Sequence, residues 1–191
     1  MPQPDHIFAF DTPQETDEDI QVVYDKCVDK FGFVPNVLQA YKFNPNKLRN
    51  FMSMYNELML APSGLSKLER EMVAVVVSSA NRCYYCLVAH GQAVRQLSGD
   101  PELGEMMVMN YRVAPLSERQ RGLLDYAWKL TVTPHLVEAA DREELRRLGL
   151  EDSEIFDLCD TVAFFNMSNR MAIGTDMMPN KEYHALSRDA S

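Results

Sequence analysis

No stretch of this sequence is apolar for long enough to span a membrane. Its start, residues 1–11, has neither the basic region nor the apolar run of a secretory signal. Both lacks point to a cytoplasmic protein. Basic residues are in deficit too: 19 Lys and Arg against 28 Asp and Glu leave a formal net charge of −9. A chain of that sign has little with which to neutralise phosphates, which disfavours a nucleic-acid or anionic-membrane partner. Linkers, low-complexity tracts and short-period repeats are missing, so residues 1–191 read as one domain, long enough to bury a real core. Cysteines number only four: Cys27, Cys83, Cys86 and Cys159. In a reducing compartment the close pair reads as redox or metal chemistry and not as structural staples.

What is present is helical nearly throughout. Thr12-Pro13-Gln14-Glu15 and Thr16 offer helix starts, and Ile20, Val23, Tyr24, Cys27, Val28 and Phe31 keep helical spacing up to Gly32. A short helix is expected from Asn36 to about Phe43, and another behind Asn44-Pro45, ending at Pro62-Ser63-Gly64. Ser66-Lys67-Leu68-Glu69 and Ser117-Glu118-Arg119-Gln120 are capping boxes. Val75-Val76-Val77 favours strand locally, but its flanks make it buried helix. The chain should break at Asn81-Arg82, start a helix at the cysteine pair and stop it at Ser98-Gly99-Asp100-Pro101. Helices follow from Glu102 to Asn110, to Val132, from Val137 to Leu148 and from Asp152 or Ser153 to Ile173; from about residue 177 the end reads as a polar tail. The 12 methionines suit adaptable packing in the core or between subunits. The expected class is all-α: a single-domain bundle of antiparallel helices.

The informative segment is Glu71, eleven residues, Cys83-Tyr84-Tyr85-Cys86, three residues, and His90. On a helix Cys83 and Cys86 are i,i+3, so their sulfurs share a face, and His90 lies one turn along it. A helix start favours a thiolate there. His90 can exchange a proton with Cys86, and Arg82 can add positive potential. One straight helix would hold Glu71 roughly 18 Å from Cys83, too far for proton transfer. The chain must therefore turn near Asn81, a residue type that tolerates the left-handed conformation.

This arrangement resembles the signature of the alkyl hydroperoxidase D and carboxymuconolactone decarboxylase-like superfamily, whose redox-active branch carries Glu, eleven residues, Cys-x-x-Cys, three residues, His. The likeness is clearest from about Leu65 to Leu97, and the whole chain is similar to the peroxidase-related group. The resemblance implies an all-helical fold assembled as homo-oligomers, trimers or hexamers. It implies a peroxidase in which Cys86 is the peroxidatic cysteine, Cys83 the resolving one, and Glu71 with His90 the proton relay. The redox group is then the Cys83–Cys86 disulfide itself, with no further cofactor and no metal. The substrate is a peroxide, and a thiol protein or small dithiol supplies electrons. Tyr85 stands where alkyl hydroperoxidase D has a histidine.

Other readings weigh against this one. Zinc could take Cys83, Cys86, His90 and Glu71, but three of them lie within a turn and a half of helix, which makes tetrahedral closure awkward. A decarboxylase-like lyase would not need the cysteine pair, and a redox-sensing oligomeric module would use the disulfide without turnover. Cys27 and Cys159 fall in apolar stripes and read as small buried hydrophobes. Arg82 is as readily a solvated residue as a site residue. Tyr84 and Tyr85 suit aromatic packing better than gating, though Tyr85 stays a pocket candidate. His135, after Pro134, reads as a surface or loop histidine, and His6 and His184, near the termini, carry no partner signal. The last helix carries a stripe, Ile155, Leu158, Cys159, Val162 and Phe165, that turns polar at Asn166 and Asn169. Asn166 and Arg170 are therefore further pocket candidates.

Overall fold

The computed structural model describes residues 7–11 and 17–188. His6 and the helix-start signals at residues 12–16 lie outside the described residues. Nine α-helices are present among them, joined by short 3-10 turns and with no strand: α1 (Glu18–Phe31), α2 (Asn36–Ala40), α3 (Pro45–Leu60), α4 (Lys67–Asn81), α5 (Tyr84–Ser98), α6 (Pro101–Asn110), α7 (Glu118–Val132), α8 (Ala139–Arg147) and α9 (Asp152–Gly174). No described helix is long and apolar enough to cross a membrane.

Local chemistry sets most of these boundaries. Both expected capping boxes form: Ser66 Oγ accepts the Glu69 N–H at 3.2 Å while Glu69 Oε2 accepts the Ser66 N–H at 2.8 Å, and Ser117 pairs with Gln120 in the same way. Asn44 caps α3 ahead of Pro45. Gly32 and Gly149 end α1 and α8 at φ 80° and 86°, backbone that a side chain would strain. α1 opens on Asp17, whose carboxylate accepts the Asp19 N–H.

α4 is the axis of the bundle, packed on by α5, α6, α7 and α9. From Met72 to Val77 every side chain is at most 1% exposed, so the valine run is helix, apolar on every side because every side is covered. A second, smaller core under α1, α2 and α3 joins Ile20, Cys27, Leu38 and Leu48.

The decisive local feature is the corner between α4 and α5. Asn81 is still helical; Arg82, not Asn81, takes the left-handed backbone, at φ 56°. The Arg82 N–H donates to Ser79 O at 3.1 Å and the Cys83 N–H to Ser78 O at 2.9 Å, the paired bonds of a Schellman ending. Those bonds fix which position turns, whatever residue occupies it. Cys83 thereby closes one helix and stands as N-cap of the next, and α5 folds back along α4.

Residues 177–188, largely polar from Asn180 as expected, lie against the bundle. Asn180 accepts the Asn36 N–H and donates to Val34 O. Arg95 on α5 donates to the carbonyls of Tyr183 and Leu186, and Met177 is buried. Backbone carbonyls that a polar composition leaves to water are here taken up by a buried guanidinium.

Candidate active site

The corner does what the Glu71–Cys83 spacing requires. Because α5 returns along α4, His90 meets Glu71 across the helix pair: Nδ1 and Oε2 are 2.6 Å apart, with both side chains largely buried. A carboxylate only accepts, so it holds the proton on Nδ1 and leaves Nε2 free to take or give one. The Phe165 ring packs nearly perpendicular to the imidazole, with centroids 4.6 Å apart.

Cys83 and Cys86 are 1% and 2% exposed, and both are thiols. They titrate as one pair. The Cys86 thiol, hydrogen-bonding to the Cys83 sulfur, lowers the Cys83 pKa to about 7; the charge of His90 and the Asn169 amide act in the same direction, and burial opposes them. Cys86 moves the other way, well above an ordinary thiol, because it gives that hydrogen bond, is buried and faces the Cys83 charge. The two shifts run in opposite directions, so the pair favours ionisation at Cys83, at the helix start, over Cys86.

The remaining sequence candidates divide. Arg82 is exposed at the corner, outside the buried pair. Tyr85 is buried, and its hydroxyl accepts the Val37 N–H at 3.0 Å, tying α5 to α2. Asn166 and Arg170 form an outer layer: Arg170 Nη1 donates to Asn166 Oδ1 at 2.9 Å, and Asn81 Nδ2 donates to the same oxygen at 3.0 Å. Tyr84 is exposed, its hydroxyl 3.3 Å from His184 Nε2. Cys27 is buried in the smaller core, and Cys159 lies 3.5 Å from the Tyr126 hydroxyl. Among the described residues no three His, Cys, Asp or Glu side chains are grouped so as to hold a metal ion.

Two residues of the site were not singled out from sequence. Asn169, fully buried on α9, stands close enough to both sulfurs to lower both thiols, and Ser168 acts on Cys86 in the same direction. The polar turn of the α9 stripe carried a signal for Asn169; Ser168 carried none. Tyr55 and Tyr183 also face Glu71, and burial pushes both hydroxyls well up.

The carboxymuconolactone decarboxylase family model matches residues 45–107, a span that holds all four motif residues. An uncharacterised peroxidase-related protein from Silicibacter sp. TM1040 is 57% identical over 98% of this chain and 100% of its own, with a TM-score of 0.95. A second, from Ralstonia eutropha JMP134, described as an alkylhydroperoxidase AhpD core, is 37% identical over the same shares, with a TM-score of 0.94. The debrominase Bmp8 shares the fold alone, at 18% identity and a TM-score of 0.74 over 88% of this chain and 89% of its own. No curated protein matches. With two relatives alike along nearly their whole length and a family model matching residues 45–107, the chain belongs to the alkyl hydroperoxidase D-like, carboxymuconolactone decarboxylase superfamily, in its peroxidase-related group.

Proposed function

We propose that the protein is a thiol-dependent peroxidase that reduces an organic hydroperoxide or hydrogen peroxide through a Cys83–Cys86 disulfide cycle. The observation that carries this reading is one juxtaposition. Two buried free thiols stand at the corner where Glu71 holds His90 by its Nδ1, and the charge of His90 bears on Cys83. That is a nucleophile, a resolving thiol and a proton donor at one buried corner. The names of the 57% and 37% identical relatives point the same way.

The cycle balances as follows. Cys86 attacks the distal peroxide oxygen and passes its proton to the Cys83 thiolate. The O–O bond breaks, Cys86 becomes a sulfenic acid, and protonated His90 gives its Nε2 proton to the departing alkoxide, releasing an alcohol. Cys83 then attacks the Cys86 sulfur; its proton joins the departing hydroxide as water, and a disulfide remains. Two electrons have passed from the thiols to the peroxide. A thiol protein or small dithiol returns them, and Glu71 keeps the imidazole oriented throughout. We propose further that the protein works in the cytoplasm as a homo-oligomer, trimer or hexamer.

Steady-state consumption of an organic hydroperoxide with dithiothreitol as reductant tests the activity. Turnover is expected in the parent protein and abolished in Cys86→Ser. Full activity in that variant would sink the mechanism.

A further inference from the structure

The buried amide of Asn169 has a single orientation open to it, because groups that only donate or only accept anchor its neighbours at both ends. At the outer end Arg170 donates to Asn166 Oδ1, while the Asn166 amide nitrogen donates to the carbonyl of Val162 at 3.0 Å. Asn166 therefore turns its oxygen to Asn81. Asn81 Nδ2 donates to that oxygen and to Asn169 Oδ1, each at 3.0 Å. At the inner end Ser78 Oγ gives its one proton to Ala74 O at 2.7 Å, so it must accept from Asn169 Nδ2, 3.0 Å away. Asn169 has then used its oxygen and one N–H. Its second N–H remains, on a fully buried side chain set against both sulfurs. A flipped amide would present an oxygen to Ser78 Oγ, which has no proton left for it.

We propose that Asn169 is a further catalytic residue, whose remaining N–H donates to the sulfur of the ionised cysteine pair and holds the negative charge there. Ser78, Asn81, Asn166 and Arg170 are positioning residues that fix which end of the amide faces the sulfurs. This deepens the disulfide-cycle reading and rests on it for the use made of the thiolate.

Asn169→Asp is nearly isosteric and replaces the donor with an anion. The readout is the pH dependence of iodoacetamide alkylation of the reduced protein, which needs no peroxide, beside its helical circular dichroism. The midpoint is expected to rise by about one pH unit or more, with alkylation at neutral pH falling roughly 5-fold or more. Asn169→Leu should move it in the same direction, and Asn169→Ser, which restores a donor, should move it less. Folded Asp and Leu variants with an unmoved midpoint would overturn the proposal, since a purely structural role changes stability and not the midpoint. If the variants do not fold, the parent protein decides. Its Asn169 side-chain amide signal, followed by 15N NMR, should titrate with the thiol midpoint; a flat signal would overturn the assignment. Hydroperoxide turnover is assayed separately. A midpoint that moves in a protein without turnover would refute the peroxidase reading and leave the thiolate donor standing.

Discussion

Raising the pH of the reduced protein while alkylating its thiols separates a tuned cysteine pair from an ordinary one. An unperturbed thiol at 9.0 is about 1% thiolate at pH 7, whereas Cys83 at about 7 is roughly half ionised there. The difference of two pH units corresponds to about 3 kcal/mol in favour of the charged form. The gain in thiolate is roughly 50-fold, and the lower basicity of a low-pKa sulfur returns about 8-fold of it, leaving a net advantage of about 6-fold at pH 7. The shape of the profile discriminates more sharply than the rate. Between about pH 7 and pH 9 the Cys83 rate should rise only about 2-fold, against about 50-fold for an ordinary thiol. Burial of both sulfurs scales every point alike when opening is fast, so it leaves the midpoint alone. Mass-spectrometric mapping of iodoacetamide adducts assigns the reaction to Cys83, with Cys86 lagging because its proton is held by the partner sulfur. Cys27, whose pKa burial raises, should react only at higher pH. A Cys83 profile that climbs about 50-fold, with its midpoint near 9, would refute the account of a shared proton.

Other perturbations test neighbouring parts of the account. Glu71→Gln keeps the size of the side chain but removes the anion that orients His90; hydroperoxide turnover should fall by roughly 100-fold or more with the fold retained, as kinetics and circular dichroism would report. Arg82→Gly relieves a left-handed backbone at an exposed site, so thermal unfolding should show a gain of up to about 1 kcal/mol, while an unmoved thiol midpoint would show that the Arg82 charge plays no part. Gly104 packs α6 against α5 where a methyl group would run into the stem of Arg95; Gly104→Ala should therefore cost about 1–3 kcal/mol in denaturant unfolding and loosen the segment that Arg95 holds.

Much of the fold is legible from local chemistry because helix ends are local events. Ser66, Asn44 and Ser117 begin helices through bonds to the residue three positions on, and that information sits within a few letters of sequence. The need for a corner after Glu71 follows from helix rise alone. Which residue takes the left-handed turn does not, because paired bonds to Ser78 and Ser79 select Arg82 over the more tolerant Asn81. Asn169 lies 86 positions beyond Cys83 in sequence, and only packing of α9 on α4 brings it to the sulfurs. The docking of residues 177–188 was equally hidden: their composition is polar, and the buried Arg95 that receives their carbonyls is on another helix. The motif itself marks both cysteines, but not which of them carries the charge at rest. That depends on Cys83 standing at the helix start with Cys86 donating to it.

The most direct test of the central claim is the mass of the reduced protein before and after one equivalent of an organic hydroperoxide, with a chelator present throughout. A disulfide cycle gives rapid loss of two hydrogens, mapped by proteolysis to a bridge between Cys83 and Cys86, and in Cys83→Ser a sulfenic acid trapped on Cys86. Thiols left unchanged by the peroxide, or a sulfenic acid found on Cys83 in Cys86→Ser and absent from Cys86 in Cys83→Ser, would contradict it.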